Sequence, residues 1–256
     1  MRKLVFTLMA ALLPSIALAW GQKGHDVVAY IAEQHISKRA RAKIERVLDG
    51  HSMVYVANWM DNASHTPDYS YTKTWHYCNL DVANGGYVDA VKNPNGDMVS
   101  AINNIVLRLK SGELTPEQER VDLMMLIHLV GDLHCPMHAG HSYDLGGNKH
   151  KVSFFGKKSN LHTVWDSEIV ESAHRWSYSE WQMQLDRVDR RTVKSYVLGD
   201  PVIWFDELAQ ITTTIYNETH EDAQLSYDYV ERFRTTIEEQ LLKGGLRLAT
   251  LLEEIY

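Results

Sequence analysis

The apolar positions of the chain recur mostly with the three- to four-residue spacing of amphipathic helices. Two such runs follow one another near the start: Val27, Val28, Ile31 and Ala32, then Ile44, Val47 and Leu48. This spacing aligns apolar side chains on one face of a helix. The pattern predicts a first helix that begins near His25. It predicts a second that starts after Ser37 and closes at Gly50.

Polar caps and prolines mark the ends of further helices. Asp97 precedes a helix predicted to end at Gly112, and Thr115-Pro116-Glu117-Gln118 has the form of a capping box. Asp200-Pro201 starts a later helix. The remaining predicted elements are a short helix over 53–61, an extended segment over 75–80, a loop over 139–159 with one strand at 151–155, a helix over 160–174, and one or two helices over 223–255, broken at Gly244-Gly245. The whole is mainly α, one compact multi-helix domain with little β structure.

The first nineteen residues have the pattern of a secretory signal peptide. Arg2 and Lys3 precede an apolar run, and Ala17-Leu18-Ala19 is a small-x-small cleavage site. The run is too short to span a bilayer comfortably, and no other stretch approaches its length. The sequence therefore predicts a cleaved segment 1–19, a domain over 20–256 that starts at Trp20, no membrane span after cleavage, and a secreted or periplasmic location.

The net charge and the cysteine content limit the classes of function that the protein can have. The net charge is −7, and loss of Arg2 and Lys3 makes it −9. Such a surface repels nucleic acid unless bound dications change the local charge. Cys78 and Cys135 are the two cysteines, which excludes a disulfide-dense scaffold and leaves open either one bridge or two buried thiols. No stable protein partner is implied.

The stretch from His128 to His138 carries the strongest chemical signal. It places three histidines and one aspartate within eleven residues, behind an apolar run. His128 and Asp132 are four apart, so on a helix their Cβ atoms lie about 5–6 Å apart on one face. That spacing suits a metal ion. Pro136 should stop or kink the helix and re-aim His138.

Other positions extend this metal-site hypothesis. His162 and Asp166 repeat the four-residue spacing, and two such pairs are hard to reconcile with chance. Asp61 and His76 are weaker alone, since an aspartate at a helix end often caps it and a lone histidine often belongs to the core. Signal cleavage would also give Trp20 a free amine, which is a nitrogen ligand once deprotonated.

Together these residues resemble the ligand series of one family. The series is Trp20-x4-His25, Asp61-x14-His76, His128-x3-Asp132-x5-His138 and His162-x3-Asp166. Supporting matches are Trp75-His76-Tyr77, Gly146-Gly147-Asn148 and Asn160-Leu161-His162. Over residues 20–256 the chain is similar to the three-zinc, single-strand-specific S-one/P-one (type I) nucleases, relatives of zinc phospholipase C. The resemblance implies their mainly α fold.

The resemblance also implies three Zn²⁺ ions. The first would bind Asp61, His76, His128 and Asp132. The second would bind Trp20, His25 and the shared Asp132. The third would bind His138, His162 and Asp166. Nitrogen and oxygen donors of this kind suit zinc.

The implied activity is hydrolysis of single-stranded DNA and RNA to 5′-mononucleotides by a zinc-activated water, with 3′-nucleotidase activity. Asp61, which would orient that water, and Asp132, which would bridge two zinc ions, are the implied catalytic residues. Tyr77 matches a base-stacking position, and Asn79 stands where the family has an acid that reads the base edge. Ser64 and His65 follow Asp61 where family members can hold a basic residue near the phosphate.

Three other readings compete with the nuclease. A zinc phospholipase C has a similar ligand order but carries glutamate where this chain has Asp166. His25-Asp26 suggests an HD-type phosphohydrolase, which would need a ligand histidine upstream that the predicted mature chain lacks. An exported zinc-binding protein without activity would explain the histidines but not Trp20 at the cleavage point.

Overall fold

The computed structural model describes residues 20–256, and this part of the chain is mainly helical, as predicted. The predicted signal peptide, residues 1–19, lies outside the described residues. The helices are α1 (Gln22–His35), α2 (Lys38–Val47), α3 (Met53–Val56), α4 (Trp59–Ala63), α5 (Met98–Ser111), α6 (Pro116–Asp132), α7 (Leu161–Thr163), α8 (Ile169–Ala173), α9 (Tyr178–Leu185), α10 (Arg190–Tyr196), α11 (Pro201–Glu218) and α12 (Tyr227–Ile255). Within the described chain, no helix is both long and apolar enough to cross a membrane.

Helix α6 is the centre of the fold. Every residue from Asp122 to Asp132 is buried. The helix packs against α1, α2, α3, α4, α5 and α12. A helix surrounded on all sides needs apolar residues around its whole circumference, which explains the near-continuous apolar run before His128. The two polar ligand candidates of α6 therefore lie in the core.

The predicted helix caps are confirmed. The side chains of Ser37, Asp97 and Thr115 each accept a hydrogen bond from the third residue of their helix. The Asp200 carboxylate accepts from two backbone amides at the start of α11. Each cap satisfies amides that a helix leaves unpaired. Helix α1 begins three residues earlier than predicted, at Gln22.

The predicted helix over 53–61 is wrong in its continuity, because the chain forms two short helices, α3 and α4, separated at Ala57 and Asn58. The break has a structural use. The Ala57 carbonyl accepts a hydrogen bond from His128 Nδ1 at 2.8 Å, and Asn58 donates to Asp26. Asp61 consequently lies in the first turn of α4 instead of ending a helix.

The predicted extended segment over 75–80 is extended only from Tyr77 onwards. Ser70–His76 forms a 3₁₀ turn. Hydroxyl groups favour the tight geometry, since Ser70 and Thr72 each donate to the carbonyl three residues earlier. The aromatic residues of this segment mimic a strand in the sequence pattern.

Of the two alternatives predicted for residues 223–255, the structure has the single long helix, because α12 runs unbroken from Tyr227 to Ile255. A β-carbon on Gly245 would stand 2.4 Å from Ile31 Cβ, and one on Gly244 would stand 3.1 Å from Val28 Cγ2. The two glycines therefore let α12 lie close against α1. They serve helix packing and do not end the helix.

A small sheet lies beside the helices. Strand β1 (Lys151–Phe154) pairs antiparallel with β2 (Lys157–Asn160) and parallel with β3 (Gln224–Leu225). The pattern predicted β1 but missed β2 and β3, which are short and polar. It also missed α9 and α10, although Ser177 and Glu180 form a capping box at the start of α9 that would have indicated it.

Candidate metal centre

Four side chains from three separate parts of the chain converge at the end of α6. His128 Nε2 lies 3.4 Å from Asp132 Oδ2 and 3.4 Å from Asp61 Oδ1. His76 Nδ1 lies 3.1 Å from Asp132 Oδ2, 3.9 Å from Asp61 Oδ1 and 3.2 Å from His128 Nε2. These five distances are edges of one small polyhedron of donor atoms.

The polyhedron has the size that a zinc ion requires. Metal–ligand distances of about 2.0–2.2 Å in a tetrahedron correspond to ligand–ligand edges of about 3.3–3.6 Å. The observed edges run from 3.1 to 3.9 Å. The predicted ligands of the first site therefore surround a space that fits one such ion, with two nitrogens and two oxygens as donors.

Buried donor atoms at this site lack hydrogen-bond partners within the described residues. They are both ring nitrogens of His25, Asp132 Oδ1, His76 Nε2 and His138 Nε2. A buried polar atom left unpaired costs about 1–3 kcal/mol. Such a concentration of unpaired atoms would be costly without a cation, so the residues present fit a bound metal.

Backbone carbonyls fix the histidine rings. His128 Nδ1 donates to Ala57 O at 2.8 Å, and His162 Nδ1 donates to Gly146 O at 2.7 Å. His138 Nδ1 donates to the carbonyl of His76. In the neutral ring, a proton held on Nδ1 leaves the lone pair on Nε2, which is how metal-binding histidines are commonly oriented.

The charges of the site are strongly coupled. Burial, followed by the charge of the neighbouring His128, lowers the pKa of His25 to about 4. Burial opposes protonation of His128 as well, but the Asp132 and Asp61 carboxylates outweigh it and raise that pKa to about 9. Burial would raise the pKa of Asp132, yet His128 and His138 hold it well below its usual value. Asp132 is thus an anion throughout the neutral range.

Asp132 also faces the predicted second site. Its Oδ1 lies 3.4 Å from His25 Nε2, and the His25 ring stacks on His128 with centroids 4.0 Å apart. A β-carbon on Gly131 would stand 2.5 Å from His25 Nδ1. Only glycine therefore lets α1 bring His25 to the end of α6. Asp132 is in reach of donors on both sides, as a bridging carboxylate must be.

Trp20 lies close to the predicted ligands. Its indole is fully buried, and the amide of the next residue, Gly21, donates to the backbone carbonyl of Asp166. The backbone at the predicted cleavage point is thus held beside the ligand helices. Its role as a ligand stays a prediction.

The third predicted site draws two of its ligands from a 3₁₀ turn and a π-turn, whereas the first site is built on helix α6. His138 lies in a 3₁₀ turn, Pro136–Ala139, that follows α6, so the chain does change direction between Asp132 and His138. Asp166 lies in a π-turn, Val164–Glu168, and its Oδ1 is 3.8 Å from His138 Nε2. The His162 ring lies 5.3 Å from the His138 ring, centroid to centroid. The compact donor group here contains a residue that the sequence analysis did not assign, Cys135.

A buried carboxylate holds the loop that anchors His162. Asp144 Oδ1 accepts from the Gly147 amide at 2.8 Å, and the Tyr216 hydroxyl donates to Asp144 Oδ2 at 2.9 Å. The loop in turn presents the Gly146 carbonyl to His162. Helix α11 thereby supports the third site through Tyr216.

The predicted substrate residues border the third site. Cys78 N–H donates to His138 O at 2.9 Å and Leu80 N–H to Gly140 O at 3.1 Å. Tyr77 and Asn79 alternate with these buried residues and are half-buried. Ser64 and His65, the positions of the predicted phosphate contact, lie beside the first site instead. Ser64 Oγ and His65 Nδ1 both contact the backbone carbonyl of Asp61.

The sequence predicts that His134, His141 and His150 are solvated or hydrogen-bonded and are not metal ligands, and two of them do form hydrogen bonds. His134 contacts the Val130 carbonyl and Arg247, and His141 contacts the Leu80 carbonyl. His150 packs its ring against Tyr216. Of the two alternatives for the cysteines, the structure has the unbridged one, with both thiols free and buried.

The fold and the site together define a mainly α protein with buried groups of histidines and aspartates that could hold metal ions. The family model described as S1/P1 Nuclease matches residues 20–256, and the chain belongs to this family. The predicted family is therefore confirmed. Family membership supports a nuclease function, that of a hydrolase acting on phosphodiester bonds.

Individual relatives agree with this assignment. Endonuclease 4 of Arabidopsis thaliana is 28% identical over 94% of this chain and 90% of its own length. Nuclease P1 of Penicillium citrinum is 27% identical over 93% and 98%, and nuclease S1 of Aspergillus oryzae is 27% identical over 95% and 94%. Each of these proteins is named as a nuclease.

Proposed function

We propose that the protein is an exported, zinc-dependent endonuclease. It hydrolyses single-stranded DNA and RNA to 5′-mononucleotides and also acts as a 3′-nucleotidase. One observation carries the proposal: the four donors of Asp61, His76, His128 and Asp132 have the spacing of a zinc tetrahedron. Their neighbours His25 and His138 supply further buried, unpaired nitrogens.

The proposed donor sets would hold three zinc ions. They supply Lewis acidity and an activated water when bound. Asp132 would bridge two of them, a role supported by its two oxygens, which face different histidines, His25 on one side and His76 on the other. Asp61 accepts a hydrogen bond at its backbone carbonyl from His65, which helps to fix the turn that carries its carboxylate. From this position Asp61 would orient the attacking water.

Substrate selection would rest on the segment beside His138. Tyr77 would stack on one base and Asn79 would meet the base edge, which requires a nucleotide that is not paired in a duplex. The chain has a net charge of −7. Attraction of the phosphate would therefore depend on the bound cations and not on a basic surface.

Export is proposed from the sequence of residues 1–19 and from Trp20. A cleaved chain would present a free amine at Trp20, one residue before the Gly21 amide that donates to the Asp166 carbonyl. Secretion or passage to a periplasm would also bring the enzyme to extracellular nucleic acid.

The test combines metal analysis with a substrate panel. The purified mature chain should contain about three zinc ions, and it should degrade single-stranded DNA and RNA faster than duplex DNA. It should also release phosphate from a 3′-nucleotide and lose each activity after chelation. A phosphatidylcholine emulsion serves as the control substrate. Lipid hydrolysis without nucleic-acid hydrolysis, or a reproducible zinc content of one or none, would refute the proposal.

A further inference from the structure

A thiol lies inside the third donor group. Cys135 is fully buried between the end of α6 and the 3₁₀ turn that carries His138. Its Sγ is 3.9 Å from Asp166 Oδ1. Ligand atoms of Cys135, His138 and Asp166 all lie within 4.8 Å of one another.

The spacing suits coordination by sulfur. Zinc–sulfur bonds of about 2.3 Å and zinc–oxygen bonds of about 2.1 Å give a tetrahedral S–O edge of about 3.6 Å. The observed 3.9 Å between Cys135 Sγ and Asp166 Oδ1 is close to that edge. An independent observation points to the same space, since His138 Nε2 is buried without a hydrogen-bond partner and lies 3.8 Å from the same oxygen.

We propose that Cys135 binds the third metal ion directly as a thiolate, alongside His138, His162 and Asp166. The inference rests on the three-zinc site proposed above. On binding, the S–H bond breaks, a sulfur–metal bond forms, and the thiol proton passes to solvent. A mixed sulfur, nitrogen and oxygen set is softer than the sets around Asp132, so the third site also accepts Cd²⁺ well.

Four protein donors make the third site more closed than a site with three. Zinc can expand to five positions, so a substrate oxygen can still bind there. The third ion would therefore exchange more slowly with solvent than the two ions flanking Asp132. Partial chelation should remove the ions of the Asp132 pair first.

The chain offers a matched control in its other cysteine. Cys78 is equally buried and free. Burial, followed by the charge of Asp97, raises its thiol pKa to about 12. For Cys135, burial, followed by the charges of Asp166 and Asp132, raises the thiol pKa well above its usual value in the metal-free protein. The two thiols therefore face different groups, and only Cys135 faces the predicted metal ligands.

The experiment replaces zinc with Co²⁺ in the full mature protein and records the near-ultraviolet absorption. The native chain and Cys78→Ser should show a thiolate-to-cobalt charge-transfer band, and Cys135→Ser should lack it. Absence of the band from the cobalt-loaded native chain would overturn the inference. Its persistence in Cys135→Ser would do the same.

A second measurement does not depend on the variant folding. X-ray absorption of the zinc-loaded native protein should require a sulfur neighbour at about 2.3 Å for one zinc in three. A chelator competition on the variant adds a third measurement. Cys135→Ser should lower the zinc affinity of one site by more than about tenfold, because losing a direct ligand should cost at least as much as losing an outer-shell partner. An active three-zinc nuclease without zinc–sulfur scattering would overturn this inference alone. A chain that binds no zinc would overturn the proposed function as well.

Discussion

Replacing Asp132 by asparagine is the most damaging single change that the structure predicts. Asp132 is fully buried at the end of α6. Its Oδ2 lies 3.1 Å from His76 and 3.4 Å from His128, and its Oδ1 lies 3.4 Å from His25. Asparagine keeps the shape of the side chain but removes the negative charge, so the effect measures the carboxylate and not packing.

The size of the effect follows from burial. Removing one partner of a buried charge pair costs about 3–5 kcal/mol. At about 1.36 kcal/mol per factor of ten, this corresponds to a loss of about 10² to 10⁴-fold. Because Asp132 faces the donors of two predicted sites, the loss applies to both. The Asp132→Asn variant should retain about one of the three zinc ions and lose activity by at least about 10²-fold.

The assay measures zinc content after gel filtration together with the rate of single-stranded DNA hydrolysis. Asp122→Asn is the matched control, because Asp122 is a buried aspartate of the same helix that pairs with Arg108 at 2.7 Å. Arg108 is partly exposed, so the pair contributes only about 1 kcal/mol. The control should lower thermal stability slightly and keep its zinc and activity. Three retained zinc ions and near-native activity in Asp132→Asn would refute the bridging role.

Three further changes test other parts of the site. A mature chain that keeps one extra residue before Trp20 should lose most of its activity, because the terminal amine is displaced; full activity would exclude the amine as a ligand. Asp144→Ala should weaken the third zinc site by about 10- to 100-fold in chelator competition, since the loop that anchors His162 loses its support; unchanged affinity would contradict that support. Tyr77→Ala should raise KM for oligonucleotides by the equivalent of about 1–3 kcal/mol while Tyr77→Phe stays near native. Equal KM values for the two variants would argue against stacking.

Local sequence signals predicted much of the fold because they act over a few residues. Ser37, Asp97 and Thr115 cap the predicted helices through bonds to amides three residues away. The i, i+4 spacing of His128 and Asp132 depends only on helix geometry, and the two side chains do share a face. Convergence of His25, Asp61 and His76 on that face needed the family resemblance, because no local rule brings distant segments together.

Errors and open alternatives arose where tertiary contacts decide the local structure. The sequence left open whether Gly244-Gly245 breaks the last helix, and the structure shows that the missing β-carbons admit Ile31 and Val28 of α1 instead. The helix break at Ala57 cannot be predicted from the neighbouring sequence, because the Ala57 carbonyl accepts a hydrogen bond from His128, 71 residues away. Cys135 belongs to the third donor group only through its closeness to Asp166, which its sequence position does not reveal.

The most direct test of the account is an anomalous diffraction measurement at the zinc absorption edge on crystals of the mature protein. We expect three peaks, one on each side of Asp132 and a third beside His138 and Asp166. A map with no peak next to Asp132 would show that the buried donors at the end of α6 do not hold a bridged pair of zinc ions.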